Sequence, residues 1–121
     1  MGGGHSVLVV DDEPSIQLLC KVNLELEGYR VLEAASLDEA RRHLRENDIG
    51  AVLLDIHVGT DDGRALVREI RSGWPSIGIA IFSGSSEVGS AATAGADAVI
   101  PKPFLLEHLT ASVGRLLGTR V

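Results

Sequence analysis

The chain has 121 residues, 45% of them hydrophobic, and a formal net charge of −6 at pH 7. This length suits one domain with its own core, and no apolar run reaches the roughly 18 residues that a membrane-spanning helix needs. The acidic balance argues against direct nucleic-acid binding, which requires clustered Lys and Arg. Cys20 is the single cysteine, so there is no disulfide framework. We therefore expect a cytoplasmic protein without membrane attachment.

Two regions of unequal size are expected. Residues 1–5 (Met-Gly-Gly-Gly-His) form a loose N-terminus, because they lack the basic and apolar parts of a secretory signal. Residues 6–121 contain no long linker, repeat or low-complexity stretch. We expect them to fold as one domain.

Short apolar runs alternate with amphipathic helical patterns along this domain. Strands are predicted around residues 7–10, 29–33, 51–54, 79–82 and 98–100, since each run is short, apolar and bounded by turn residues. Five βα units in succession predict an α/β fold, a single doubly wound parallel sheet with helices on both faces. Pro101 has no N–H to donate, so the last strand is expected at an edge.

The helices show recognisable ends. Pro14 suits the first turn of the first helix and Gly28 its C-terminal end, with Ile16, Leu19, Cys20 and Leu26 near the core side. A capping box, Ser36-Leu-Asp-Glu39, opens the second helix. A third helical pattern follows a loop at residues 57–63, and a final amphipathic helix closes the domain.

Polar side chains stand where the strands end. Asp11 and Asp12 follow the first strand, Asp55 the third, Ser83 the fourth and Lys102 the fifth. The carboxyl ends of parallel strands share one rim of the sheet, and open α/β sheets bind their ligands there. Three carboxylates, a hydroxyl and an ammonium are therefore expected to converge on one pocket.

This set of groups predicts a metal and phosphoryl site. Crowded carboxylates repel one another, and a divalent cation offsets the repulsion. The oxygen ligands suit Mg²⁺, with Mn²⁺ as an expected substitute, whereas the acidic spacing of a calcium loop is absent. Asp55 is the candidate nucleophile, since a carboxylate can attack phosphorus. Ser83 and Lys102 can bind phosphoryl oxygens. Asp11, Asp12 and Glu13 alone would be better explained as the cap and acidic first turn of a helix, and Asp55 at the end of another strand favours the metal site instead.

Several short motifs occur in a fixed order along the chain. They are VLVVDDEP (7–14), LLD (53–55), DG (62–63), FSG (82–84), GAD (95–97) and PKPF (101–104). In these motifs, from about residue 6 to residue 117, the chain resembles the response-regulator receiver domains of two-component signal transduction. The resemblance implies a flavodoxin-like fold with strand order 2-1-3-4-5.

The resemblance also implies residue roles. Asp55 is expected to accept a phosphoryl group from the phosphohistidine of a histidine kinase or a histidine phosphotransfer protein. Mg²⁺ is expected to be bound by Asp12 directly, by Asp11 through water, by Asp55 and by the backbone carbonyl of His57.

Ser83 and Lys102 match the positions that hold the phosphoryl group in the family, and the Lys102–Pro103 bond is expected to be cis. Phosphorylation would switch a surface that a downstream protein or a fused output domain binds, with a homodimer as one outcome. Beyond self-phosphorylation and slow autodephosphorylation, the chain is not expected to be an enzyme.

The chain departs from the family pattern at several positions. Val58-Gly59 replaces a usual Met-Pro, which predicts a looser loop, and Val99 replaces a usual Tyr or Phe that moves on phosphorylation. Residues 83–95 are nearly one helical turn shorter than usual. We expect that phosphorylation occurs but that it changes the partner-binding surface by a different means from the usual aromatic side chain. His57 and Ser85 occupy positions that flank the phosphoryl group and tune its hydrolysis, although His57 fits a solvent-exposed loop equally well.

Two other functions are compatible with parts of the pattern. A receiver-like scaffold that binds partners without phosphorylation is the main alternative, and the intact acidic cluster argues against it. A phosphatase or phosphotransferase of the haloacid-dehalogenase type is disfavoured, because Asp11 and Asp12 are adjacent rather than two residues apart and no cap insertion is present.

Overall fold

The computed structural model describes residues 6–84, 95–102 and 104–118. Within these ranges the chain forms seven strands and four helices. The strands are β1 (Ser6–Val10), β2 (Arg30–Ala34), β3 (Ile49–Asp55), β4 (His57–Val58), β5 (Asp61–Asp62), β6 (Gly78–Ser83) and β7 (Ala98–Pro101). The helices are α1 (Pro14–Leu26), α2 (Leu37–Glu46), α3 (Gly63–Gly73) and α4 (Leu106–Leu116).

Five strands form one parallel sheet in the order β2-β1-β3-β6-β7. This is the predicted order 2-1-3-4-5, because β4 and β5 form a separate two-residue antiparallel pair and only shift the numbering. The sheet confirms the predicted doubly wound, flavodoxin-like α/β fold. β7 with Pro101 lies at an edge of the sheet, as the missing N–H requires.

The helix ends follow from local chemistry. In α2 the capping box is present: the Ser36 hydroxyl accepts the Glu39 N–H at 3.1 Å, and the Glu39 carboxylate accepts the Ala35 N–H at 2.6 Å. α1 begins at Pro14, and Gly28 just beyond its end has a φ of 95°, a conformation that glycine adopts without strain.

Two buried clusters lie on opposite faces of the sheet. The first packs the sheet against α2 and α3, and includes Leu8, Leu54 and Ile70. The second packs it against α1 and α4, and includes Val9 and Phe82. Both faces of the central strands are thus covered, which explains their continuous apolar runs.

The predicted core side of α1 is wrong for two of its residues. Cys20 and Leu24 are buried, whereas Leu19 is 38% and Leu26 79% exposed. Leu24 lies one turn after Cys20 and so faces the sheet, while Leu26 is rotated by about 200° from Leu24. The exposed apolar face of α1 comprises Leu18, Leu19, Val22 and Leu26.

The single thiol belongs to the core. Cys20 is fully buried in the second cluster, and burial raises its pKa to about 12. The thiol is therefore protonated at neutral pH, as expected for a structural cysteine.

Arg71 forms hydrogen bonds at the amino ends of β6 and β7, the edge of the sheet opposite the acidic residues. The Arg71 guanidinium donates to the carbonyl oxygens of Ile77 at 2.8 Å and Gly95 at 3.0 Å, and to the Asp97 carboxylate at 2.5 Å. Asp97 also accepts the Ile79 N–H at 2.8 Å. These bonds fix the segment that leads into β7 and give the GAD motif a structural role.

Several expectations concern residues beyond those described. The loose N-terminus at residues 1–5, Ser85, most of the segment 83–95 and the cis bond at Pro103 fall outside the described residues. In the described ranges, no helix combines the length and the apolar character needed to cross a bilayer.

Candidate functional site

The carboxyl ends of β1 and β3 bring three acidic residues together. Asp11 and Asp12 follow β1, and Asp55 is the last residue of β3. Carboxylate oxygens of the three lie within 4.8 Å of one another. Asp11 and Asp55 are buried and Asp12 is exposed, so the cluster opens to solvent on the Asp12 side.

Asp11 is the most constrained of these carboxylates. Its Oδ1 accepts the Glu13 N–H at 2.9 Å, while its buried Oδ2 has no hydrogen-bond partner among the described residues. Desolvation raises the pKa of Asp11 to about 6, and the charge of Asp55 contributes, against the lowering effects of the Glu13 N–H and Lys102. A buried acceptor without a donor is costly unless a cation completes it.

Lys102 reaches into the cluster from the end of β7. Its Nζ lies 3.3 Å from Asp55 Oδ2 and 3.8 Å from Asp11 Oδ2. One ammonium thus faces three carboxylates, and the local charge is still negative. Asp11, Asp12 and Asp55 offer the hard oxygen donors that Mg²⁺ prefers, and the Asp11 oxygen that accepts no hydrogen bond from the described residues fits the same cation.

The two other predicted site residues lie at the same rim. Ser83 is the buried last residue of β6, and its hydroxyl donates to the Gly84 carbonyl at 2.9 Å. Its own carbonyl accepts the Lys102 N–H at 2.9 Å, which fixes the Lys102 backbone. His57 is exposed at the start of β4, and its N–H approaches Asp55 Oδ1 at 3.4 Å. Metal binding by the His57 carbonyl stays a prediction.

The loop after β3 is tied to the acidic cluster. Gly59 has a φ of 62°, and its N–H donates to Asp12 Oδ2 at 3.1 Å. A proline at this position has neither the N–H nor that φ. Gly59 in place of the usual proline therefore allows a hydrogen bond to Asp12, and the looser loop stays a prediction.

The surroundings of Gly63 explain why the DG motif has a glycine, which is not evident from the sequence alone. A Cβ atom on Gly63 would lie 2.2 Å from the Asp55 carbonyl oxygen, and the Gly63 N–H donates to the Ile56 carbonyl at 2.8 Å. Only glycine lets α3 begin this close to Asp55.

Two aromatic rings adjoin the site and were not singled out from the sequence. Lys102 Nζ lies 5.9 Å from the Phe82 ring centroid, and Phe82 stacks on Phe104 with centroids 5.1 Å apart. Both rings belong to the second cluster. Val99 packs against the first cluster, on the other face of the sheet.

Comparisons with known proteins agree with this arrangement. The family model described as "Response regulator receiver domain" matches residues 7–114. The transcriptional regulatory protein PrrA of Mycobacterium tuberculosis is 35% identical over 117 residues, covering 94% of this chain and 50% of PrrA. The sensor kinase CckA of Brucella abortus is 34% identical over 97% of this chain and 13% of CckA.

Solved structures show the same likeness. The receiver domain of NtrX from Brucella abortus superposes with a TM-score of 0.87 at 33% identity, covering 93% of this chain and 98% of the NtrX domain. The chain spans half the length of PrrA. With this fold, and with acidic residues, Ser83 and Lys102 gathered at one rim, the chain belongs to the family of response-regulator receiver domains of two-component systems.

Proposed function

We propose that this chain is a phosphorylation-dependent signalling switch. Asp55 accepts a phosphoryl group from the phosphohistidine of a histidine kinase or a histidine phosphotransfer protein, in a reaction that depends on Mg²⁺. The observation that carries the proposal is the contact of Lys102 with Asp55, at 3.3 Å, beside a buried Asp11 oxygen that has no hydrogen-bond partner among the described residues. A candidate nucleophile, a cationic group and an oxygen suited to a metal ion then adjoin one another.

The chemistry requires little beyond positioning. A carboxylate oxygen of Asp55 attacks phosphorus, the P–N bond to the donor imidazole breaks with its electron pair passing to nitrogen, and an acyl phosphate forms. The Lys102 ammonium can stay close and bind a phosphoryl oxygen. Ser83 can bind another once its hydroxyl turns away from the Gly84 carbonyl. When bound, Mg²⁺ supplies further positive charge at the phosphoryl oxygens.

The proposed function needs one partner that donates the phosphoryl group and another that binds the phosphorylated chain. The exposed apolar face of α1 begins with Leu18, about one turn along the helix from Pro14 and hence close to Asp12. Such a surface is favoured when a partner covers it, and we assign it to the phosphodonor protein. A downstream protein or a fused output domain then binds the phosphorylated form. Phosphorylation can also lead to a homodimer.

The proposed role is that of a phosphoacceptor rather than an enzyme with substrate turnover, with slow autodephosphorylation returning it to the resting state. We place this role in the cytoplasm. The second candidate function is a scaffold that binds partners without phosphorylation, and Val99 in the usual aromatic position is the observation that favours it.

The experiment is intact-mass measurement after incubation with acetyl phosphate, with and without Mg²⁺, beside an Asp55→Asn control. We expect a gain of one phosphoryl group that requires both Mg²⁺ and Asp55, because the amide of the variant is a poor nucleophile of matched size. No adduct, together with no response to a beryllofluoride mimic of the phosphoryl group, would favour the scaffold.

A further inference from the structure

Gln17 joins the ends of two neighbouring strands. Its side-chain Nε2 donates to the Asp11 carbonyl oxygen at 2.6 Å and to the Ala34 carbonyl oxygen at 3.1 Å. The Ala34 carbonyl also accepts the Asp11 N–H at 3.0 Å. The residue after β1 and the last residue of β2 are thereby held by one amide group of α1.

The Gln17 amide provides a hydrogen bond just beyond the end of the β1–β2 ladder. β1 ends at Val10 and β2 at Ala34, so the Asp11 carbonyl lies beyond the ladder. Gln17 supplies a donor to that carbonyl from the helix that follows. The sheet thus holds the peptide before Asp11 through its N–H, and Gln17 holds the peptide between Asp11 and Asp12 through its carbonyl.

The fixed peptide lies between two of the metal-binding candidates. Asp11, Asp12 and Asp55 repel one another within 4.8 Å, and repulsion favours any backbone rotation that moves a carboxylate away. A bound ion needs its ligands placed to within about 0.5 Å. A hydrogen bond to the Asp11 carbonyl opposes this rotation without contacting the ion.

We propose that Gln17 is a positioning residue for the Mg²⁺ ligands Asp11 and Asp12. The inference rests on the proposed function, which assigns Mg²⁺ to this cluster. Hydrogen bonds around a metal site commonly contribute a factor of about 10 to 100 in metal affinity. Gln17 contributes through the backbone of the ligands instead of through their carboxylates.

The test compares Mg²⁺ affinity of the full chain by isothermal titration calorimetry, without a phosphodonor. Gln17→Met keeps the side-chain length and removes the donor, and we expect the Kd for Mg²⁺ to rise about 10-fold. Phosphorylation of Gln17→Met at saturating Mg²⁺ should approach the wild-type level.

Asn23→Met is the matched control. Asn23 Nδ2 donates to the Leu19 carbonyl at 2.8 Å on the exposed side of the same helix, so the variant loses a similar bond away from the cluster. Its Kd should equal that of the wild type. Melting temperatures measured without Mg²⁺ verify that folded chains are compared.

The outcomes separate the two proposals. If the wild type binds Mg²⁺ and Gln17→Met binds it equally well, the positioning role is overturned and the proposed function stands. Equal weakening in Gln17→Met and Asn23→Met also overturns it, because the loss would then not depend on the contact with the Asp11 carbonyl. A wild type that does not bind Mg²⁺ overturns the proposed function and this inference with it.

Discussion

At the scale of single residues, the ionised Asp11 carboxylate lowers the free energy of unfolding of the metal-free protein at neutral pH. Its carboxyl is fully buried, and desolvation raises its pKa from 3.8 to about 6. The native state therefore binds this proton more tightly than the unfolded chain does. Stability of the metal-free protein falls as pH rises from about 4 through about 6, by on the order of 3 kcal/mol if Asp11 acts alone.

We predict that Asp11→Asn stabilises the metal-free protein at pH 7.5 by about 2 kcal/mol, because a neutral amide avoids the desolvation of a charge. The same variant should lose the decline in stability between pH 4 and pH 6.5. Urea unfolding in EDTA across that pH range measures both effects. A wild-type stability that rises over this range, or an Asn variant less stable at pH 7.5, would contradict the assignment.

At the scale of elements, the approach of α3 to β3 depends on the residue that begins the helix. The 2.2 Å separation between a Cβ at position 63 and the Asp55 carbonyl oxygen cannot be relieved by a side-chain rotation, since the contacted atom is backbone. A larger residue must displace either α3 or the end of β3, which carries the proposed nucleophile Asp55.

We predict that Gly63→Ala costs about 2 kcal/mol or more of unfolding free energy and also slows phosphorylation of the folded protein by acetyl phosphate. Gly73→Ala, at the other end of the same helix, is the control, because its Cβ would meet no atom within 4 Å. Chemical denaturation and the phosphorylation rate are the two measurements. Equal rates in both variants would show that Asp55 tolerates displacement of the helix.

The elements also show what a sequence can and cannot reveal. The carboxylate rim follows from apolar runs that end on polar residues, since a parallel sheet brings those ends together. The strand order was predicted from the resemblance to receiver domains. The β4–β5 pair was expected as a loop, because two-residue strands have no periodicity to detect. Gln17 was missed because its two acceptors are backbone carbonyls, which a sequence does not display. Leu26 was misplaced because apolar residues surround α1 on most sides.

At the scale of the whole molecule, the side chains that connect the site to the surface lie in two groups on opposite faces of the sheet. Val99 packs on the face covered by α2 and α3. Phe82, Phe104 and the Lys102 contact with the Phe82 ring belong to the face covered by α1 and α4. Phe104 precedes Leu105 and Leu106, which are 70% and 41% exposed. We therefore expect that any movement of Lys102 on the proposed phosphorylation affects the start of α4 most directly.

We predict that beryllofluoride and Mg²⁺ shift the backbone amide resonances of residues 104–108 more than those of residues 96–99. Phe104→Leu should reduce the shifts along α4, since the ring stack is lost, while phosphorylation of Asp55 continues. Two-dimensional ¹H–¹⁵N spectra of both proteins provide the comparison. Larger shifts around Val99 would indicate the usual route in spite of the missing aromatic residue.

The buried Cys20 has a practical consequence for testing the proposed phosphorylation. Its thiol is shielded by α1, α4 and the sheet, and it stays protonated well beyond neutral pH, so thiol-directed reagents leave the native protein unmodified. A cysteine introduced on the surface near Leu105 would be the one that reacts. The wild-type sequence can therefore carry a single fluorophore or spin label at the start of α4, and the response to phosphorylation can be followed in real time without first removing its own cysteine.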